Sequence, residues 1–123
     1  MKLQDLYTLD EHEDGRDCLI NDDEGNPTTL KIKLKGTDSS TYRLQLKKQK
    51  NAFMEAKQKG KDFDEDKHVI DALVECTVGW SGTDEKYTKK LCRELYTKAP
   101  FVREQVDLFI ARRENFIKAK RKK

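Results

Sequence analysis

The sequence predicts an α+β domain in which an N-terminal β-hairpin packs on a bundle of about four α-helices. Three observations support this prediction: apolar and charged residues alternate over residues 29–35, apolar residues recur at helical spacing in four later stretches, and glycine or proline separates the segments. Alternation with a period of two indicates a strand with one wet face, whereas spacing of three to four residues indicates an amphipathic helix. Because an isolated hairpin is only marginally stable, its apolar face must lie on the helices.

The composition indicates a folded domain with a heavily charged surface. Charged residues make up 40% of the 123 residues and apolar residues 35%, whereas an average soluble domain is roughly 25% charged. The net charge is only +3, so self-repulsion is weak and does not favour disorder. We expect a single domain over residues 1–117, with residues 1–16 as a candidate flexible segment and residues 118–123 as a basic C-terminal tail.

The hairpin is predicted from two short segments, residues 17–21 and residues 29–35. In the second segment, three aliphatic residues point to one face and three lysines point to the other, which is typical of a half-buried strand. The intervening run DEGNP, at residues 23–27, is a turn signal. The two strands should therefore pair directly.

A helix is predicted to follow over about residues 39–59. Asp38 and Ser39 are suitable N-cap residues, and Gly60 is a suitable C-terminal stop. The residues at positions 42, 44 and 46 also alternate, so a second hairpin strand is the competing interpretation, but the helix formers that follow favour the helix. The stripe that is expected to face the core consists of Tyr42, Leu46, Gln49, Phe53 and Ala56.

Three further helices complete the predicted bundle. The most apolar one, over about residues 64–78, is the candidate central helix, and the glycine-rich residues 79–82 are expected to break the chain after it. Thr88 is suited to cap a third helix, and Pro100 is suited to the first turn of a fourth. The apolar stripe of this fourth helix consists of Val102, Val106, Phe109, Ile110, Phe116 and Ile117.

The reactive residue types do not form a catalytic or metal-binding pattern. Cys18, Cys76 and Cys92 lack close spacing, and we predict reduced cysteines that act as small hydrophobic residues. His12 and His68 are scattered away from them, so no zinc site is expected, and the acidic run around His12 is interpreted as a solvated loop rather than a calcium site. Because no nucleophile, base and orienting group occur together, we expect neither an enzyme nor a bound cofactor.

The charges are distributed unevenly along the chain. Residues 10–24 contain eight acidic residues and one arginine, residues 31–61 contain ten basic residues and two acidic ones, and residues 118–123 contain five basic residues. Such blocks usually form solvated faces and tails, although a basic stretch with exposed aromatic side chains can bind nucleic acid. Because Tyr42 and Phe53 are assigned to the core, nucleic-acid binding is not favoured.

Trp80 has two open interpretations. It lies between two glycines in the run VGWSG at residues 78–82. It either closes the core where the central helix ends, or it is a partly exposed anchor for a partner, because tryptophan is enriched at binding hot spots.

Hydropathy predicts the compartment. The sequence contains no apolar run of about 18 residues, so no membrane span is predicted. The first residues also lack the apolar core and cleavage site of a signal peptide, so we expect the protein to stay in the cytosol in which it is made.

Four stretches occur in an order that carries a family resemblance. The first two are KGTDSSTYR at residues 35–43 and CTVGWSG at residues 76–82, and the others are residues 87–96 and the runs PFVREQVDLFI and RENF within residues 100–116. Taken together, they resemble the tail assembly chaperones of long-tailed, siphovirus-like bacteriophages over about residues 30–117.

The resemblance implies a function, partners and a set of positions. Such chaperones bind the long, helical tape measure protein, keep it soluble and help recruit tail tube protein, in many cases through a longer form made by ribosomal frameshifting. They act in the host cell cytoplasm and are absent from the mature virion; self-association is left open. The family motif implies structural or partner-binding roles for Gly36, Asp38, Ser39, Tyr42, Arg43, Trp80, Gly82, Pro100, Phe101, Phe109, Arg113 and Phe116.

Two other functions compete with this one. A structural or tail-completion protein that is retained in the virion would share the charged surface and the lack of a catalytic pattern. A small basic nucleic-acid-binding regulator would use the lysine-rich residues 31–61 and the basic tail, and its affinity would fall steeply with salt.

Overall fold

A computed structural model describes residues 1–117, and the predicted basic tail at residues 118–123 lies outside the described residues. The α+β class with an N-terminal hairpin is confirmed: a three-stranded antiparallel sheet in the order β1-β2-β3 is combined with five α-helices over residues 1–117. The strands are β1 (Arg16–Asn21), β2 (Pro27–Leu34) and β3 (Thr77–Ser81), and the helices are α1 (Leu9–Asp14), α2 (Ser40–Gln58), α3 (Glu65–Cys76), α4 (Lys89–Lys98) and α5 (Pro100–Ala111).

The hairpin forms as the alternation predicts. Ile32 and Leu34 are fully buried, while Lys31 and Lys33 of the same strand are exposed, so one face of the sheet is wet. The turn is held by Asp22, whose Oδ1 accepts hydrogen bonds from the backbone N–H groups of the residues two and four positions later. Gly25 supplies the positive φ of 85° that this turn requires.

The third strand was not predicted. The central helix was expected to run to Val78 and to be followed by a break, but α3 ends at Cys76 and the chain passes directly into β3. The hairpin leaves the backbone groups on the outer edge of β2 unpaired, and residues 77–81 pair with this edge as an antiparallel strand, with Trp80 opposite Ile32. Thr77 marks the change, because its hydroxyl donates to Leu73 O while its backbone is already extended.

The long helix α2 has the predicted ends but not the predicted environment. Ser39 caps its N-terminus by accepting from the N–H of Tyr42, and Gly60, with a φ of 65°, closes a Schellman-type C-terminus in which Lys61 N–H donates to Ala56 O. The competing strand is therefore excluded. The expected core stripe is only partly right: Tyr42, Gln49 and Ala56 are half-buried, with Tyr42 against the core cluster, whereas Leu46 and Phe53 are exposed.

The core lies between the buried face of the sheet and helices α3, α4 and α5. At its centre, the Tyr96 hydroxyl donates to Thr77 Oγ1 at 2.8 Å, which satisfies both buried polar groups because Thr77 itself donates to Leu73. All three cysteines are free and buried, as expected. The buried hydrophobic cluster consists of Cys18, Ile20, Ile32, Leu34, Ile70, Leu73, Val74, Cys76, Cys92, Tyr96, Val102, Val106 and Ile110.

Both ends of the described chain differ from the prediction. No helix was expected before residue 17, yet α1 forms there, preceded by a 3₁₀ turn at Leu3–Leu6. A helix of six residues, four of them acidic, is too short to give a periodic signal. The flexibility of residues 1–16 stays a prediction. The fourth predicted helix ends at Ala111, and a 3₁₀ turn at Arg113–Phe116 carries Phe116 into a buried position while Ile117 is exposed.

Candidate partner-binding surfaces

The carboxylate of Asp38 is the meeting point of three segments. Arg113 donates to it from Nε and from a terminal nitrogen, each at 2.8 Å, and Arg43 donates from the first turns of α2 at 2.9 Å. The hydrogen bonds from Arg113, followed by that from Arg43, hold the pKa of the Asp38 carboxyl well below its ordinary value, although partial burial acts in the opposite direction. Asp38 therefore stays ionised and ties the start of α2 to the C-terminal turn.

His12 brings α1 into the same place. Its ring is fully buried, stacks on Phe116 with a centroid distance of 4.6 Å, and accepts a hydrogen bond at Nδ1 from the backbone N–H of Asp38 at 3.1 Å. The proton of the neutral ring is therefore on Nε2, which lies 3.5 Å from Asp38 Oδ2. Burial, opposed by the Asp38 charge, lowers the pKa of the imidazole. We refer to His12, Asp38, Arg43, Arg113 and Phe116 as the Asp38 cluster.

The Asp38 cluster accounts for most of the motif positions as structural residues. Gly36 passes so close to His12 that an added Cβ would overlap the imidazole ring, and Ser39 caps α2. Phe109 packs edge-to-face on Phe116 at 5.5 Å. Sequence reasoning missed His12, because a lone histidine in an acidic run has no local signal. The predicted positions that lie in the cluster or directly beside it are Gly36, Asp38, Ser39, Tyr42, Arg43, Phe109, Arg113 and Phe116.

The motif residue Trp80 lines an open apolar groove between the edge of the sheet and α4. We call it the Trp80 groove; its volume is about 320 Å³. Its rim carries polar and charged side chains from the loop after β3 and from α4. Its apolar wall consists of Leu30, Trp80, Leu91, Leu95 and Ala99, all of which are only half-buried.

The indole of Trp80 is fixed rather than loose. Its Nε1–H donates to the backbone oxygen of Glu85 at 2.9 Å, and its ring meets Tyr87 edge-to-face at 5.1 Å. One side of the ring thus packs on the protein while the other lines the groove. Trp80 therefore packs against the core cluster and is only half-buried, and its role as an anchor for a partner stays a prediction.

Gly82, Pro100 and Phe101 have separate positions. Gly82, with a φ of 86°, lies so close to Thr29 that a Cβ would overlap the Thr29 carbonyl, and this approach holds the loop beside the groove. Pro100 begins α5, as predicted, and Phe101 next to it is 39% exposed. Neither Pro100 nor Phe101 lines the groove.

A third surface lies on α2, where the sequence predicted a core-facing stripe. Leu46 is 38% and Phe53 is 49% exposed, and both border an open hollow of about 390 Å³ that Phe63 and Glu65 line as well. Lys50 and Lys57 lie on the same helix face by spacing. We call Leu46, Lys50, Phe53 and Lys57 the α2 stripe. Leu46 and Phe53 belong to the predicted core-facing stripe, whereas Lys50 and Lys57 do not, and the exposure of Leu46 and Phe53 was not predicted.

The cysteines have no nucleophile-like setting. Burial raises the pKa of Cys18 to about 11 and that of Cys76 to about 12, and it also raises the pKa of Cys92. A thiol becomes a reactive thiolate only when its pKa is lowered, so these three side chains are packing residues. Among residues 1–117, no group of three or more His, Cys, Asp or Glu side chains is arranged to hold a metal ion.

Comparison of the chain with protein-family models, with curated proteins and with solved structures gives no match. Within the described part of the chain, every helix is too short or too polar to cross a membrane.

Proposed function

We propose that this protein is a tail assembly chaperone of a long-tailed bacteriophage, which binds the tape measure protein and keeps it soluble during tail assembly. The observation that carries the proposal is the Trp80 groove, an apolar surface that the chain itself leaves uncovered. A helical client presents apolar stripes that need such a surface before assembly. The ordered motif set described above supplies the identity of the client.

The geometry of the groove suits an apolar helix stripe. The wall is built from aliphatic side chains beside a tryptophan, and such side chains release about 25 cal/mol per Å² of apolar surface that a client covers. The hydrogen bond from Trp80 Nε1–H to Glu85 O fixes the orientation of the indole before a client binds, so the side chain loses little conformational entropy on binding. Glu94 and Lys98 on the rim pair with each other at 2.8 Å and keep the edge hydrated.

The wider role follows from the resemblance. The chaperone would help to recruit tail tube protein around the client, through a longer frameshifted form, and would act in the host cell cytoplasm without remaining in the mature virion. It would catalyse no reaction and need no cofactor. A charged exterior suits this role, because the complex must stay soluble while apolar client segments are covered.

The direct test is co-expression with the tape measure protein encoded in the same genome. We expect a soluble complex that co-purifies, and we expect Trp80→Ala to weaken it about tenfold or more, as for a central hot-spot residue. Leu91→Gln, which changes the same groove from α4, checks the result if Trp80→Ala disturbs the fold. Leu19→Ala is the matched control, because Leu19 is 64% exposed, does not line the groove and is not a motif position.

Three results would separate the competing functions. An insoluble client with no co-purified complex would contradict the chaperone proposal. Many copies in purified virions, measured by mass spectrometry, would favour a structural or tail-completion protein instead. One observation supports the nucleic-acid-binding regulator: Phe53 is 49% exposed on a basic helix. Retardation of DNA or RNA by the protein in a gel at low salt would favour this function.

A further inference from the structure

The α2 stripe has the repeat of a helix-pairing surface. Leu46, Lys50, Phe53 and Lys57 are separated by four, three and four residues, which places them along one face of α2. Leu46 and Phe53 are seven residues apart, as are Lys50 and Lys57, so an apolar row and a basic row run side by side with a heptad period. This is the pattern by which two helices pack and select each other.

The chain covers the apolar row only in part: Phe63 meets Phe53 edge-to-face, but Leu46 stays 38% and Phe53 49% exposed. No residue of α2 is buried, and the hollow between Leu46, Phe53 and Phe63 is open to solvent. Helix α2 packs on α3, and its residues 42, 45, 49, 52 and 56 are half-buried. Leu46 and Phe53 remain exposed beside that face, so they form an apolar surface that suits a partner.

The charges specify the partner. Helix α2 carries Arg43, Lys47, Lys48, Lys50 and Lys57 against the single acidic residue Glu55, which lies outside the stripe. Within residues 1–117, neither Lys50 nor Lys57 forms an ion pair, whereas other lysines of the chain do. A second copy of α2 would oppose lysine to lysine, which disfavours self-pairing.

We infer that the α2 stripe binds an amphipathic helix that carries a row of acidic residues beside its apolar row, packed along α2 as in a coiled coil. The inference rests on the proposed function in taking this helix to be a segment of the client. The apolar row of the partner covers Leu46 and Phe53, and its carboxylates face Lys50 and Lys57. The Trp80 groove, which shares no residue with the stripe, is a separate contact.

A helix fits the stripe better than single-stranded nucleic acid does. Bases would need free aromatic faces, but Phe63 already stacks on His68 at 4.7 Å and meets Phe53 edge-to-face at 5.3 Å. Leu46 offers no stacking surface at all. The aliphatic and aromatic row with flanking lysines matches an apolar helix face with flanking acids.

Two designed peptides test the inference on the full chain. Both contain about three heptads with leucine in the apolar positions, and the flanking positions hold glutamate in one peptide and lysine in the other. We expect the acidic peptide to bind at least roughly tenfold more tightly in a titration at low salt, and to weaken as NaCl rises from about 50 to 300 mM. We expect Lys50→Glu combined with Lys57→Glu to reverse the preference.

The apolar contact has its own variant and control. Phe53→Ser should abolish most of the binding of the acidic peptide, whereas Leu44→Ser, on the other side of α2 and 50% exposed, should leave it unchanged. Circular dichroism checks that both variants keep the fold. Equal binding of the two peptides, or no effect of Phe53→Ser, would overturn the inference.

The same set of measurements also tests two other occupants of the α2 stripe, a second copy of the chain and a single-stranded nucleic acid. A dimer in sedimentation that Phe53→Ser dissociates would assign the stripe to a second copy, and tighter binding of a single-stranded oligonucleotide would assign it to nucleic acid. If the tape measure protein co-purifies with the wild-type chain and equally with Phe53→Ser, the stripe inference fails while the proposed function stands. If it does not co-purify at all but the acidic peptide binds, the proposed function fails and the stripe remains.

Discussion

Arg113 donates two hydrogen bonds of 2.8 Å to the carboxylate of Asp38, although the two residues are 75 positions apart in the sequence. The pair joins the turn after α5 to the start of α2. The His12 ring from α1 completes the junction by accepting from the Asp38 backbone and stacking on Phe116. Three segments that are distant in the sequence, α1, the start of α2 and the turn after α5, are thereby held together at Asp38.

The first prediction concerns the two arginines that share Asp38. Arg113 binds through two donors and Arg43 through one, and lysine cannot reproduce a two-point contact. In urea denaturation, Arg113→Lys should therefore lower the free energy of unfolding more than Arg43→Lys does. Asp38→Asn should cost more than either, about 1–2 kcal/mol, because it removes the charge that both arginines use. Equal effects of the two arginine variants would contradict the two-point pairing.

The second prediction concerns Gly36. A Cβ at this position would overlap the buried His12 imidazole, so Gly36→Ala should lower the free energy of unfolding by about 1–3 kcal/mol, as overpacking does. Gly79→Ala is the matched control, since nothing lies within 4 Å of a Cβ there. In a double-mutant cycle, His12→Ala should remove most of the cost of Gly36→Ala. Additive costs would show that the strain arises elsewhere.

The third prediction is a dependence of stability on pH. Burial lowers the pKa of His12 in the folded protein, so the unfolded chain, with a histidine pKa of about 6.5, binds the proton more readily. The free energy of unfolding should fall as the pH drops below about 7 toward the folded pKa, by no more than about 1.4 kcal/mol per pH unit. Asp38 has a lowered pKa, so its contribution is present above its unfolded pKa and is lost only below about pH 4.

The variant His12→Asn separates the pH range in which His12 titrates from the lower pH range in which Asp38 titrates. Asparagine offers an oxygen that can accept from the Asp38 backbone as Nδ1 does, but it does not titrate. Denaturation between pH 5 and pH 8, a range chosen about the ordinary histidine pKa, should show a flat profile for the variant and a sloping one for the wild type. A slope that survives in His12→Asn would mean that another group titrates there.

Local patterns were sufficient for most of the secondary structure. The hairpin, the caps at Ser39 and Thr88, the stop at Gly60 and the start at Pro100 were all predicted correctly. Each depends on the conformational preferences of a few neighbouring residues, which are present in the sequence regardless of the rest of the fold. The roles of the motif positions stay a prediction, and the buried His12 ring near which many of them lie was not predicted.

Only the tertiary structure decided three features. Residues 77–81 became a strand because the edge of β2 was open to them, although they follow a helix without a break. The sequence predicts that Leu46 and Phe53 on α2 face the core, yet both are more than a third exposed. Periodicity states that a helix has an apolar side, but whether that side meets the core or a partner depends on segments distant in sequence. Likewise, Arg113 reaches Asp38 only because α5 ends and turns at Ala111.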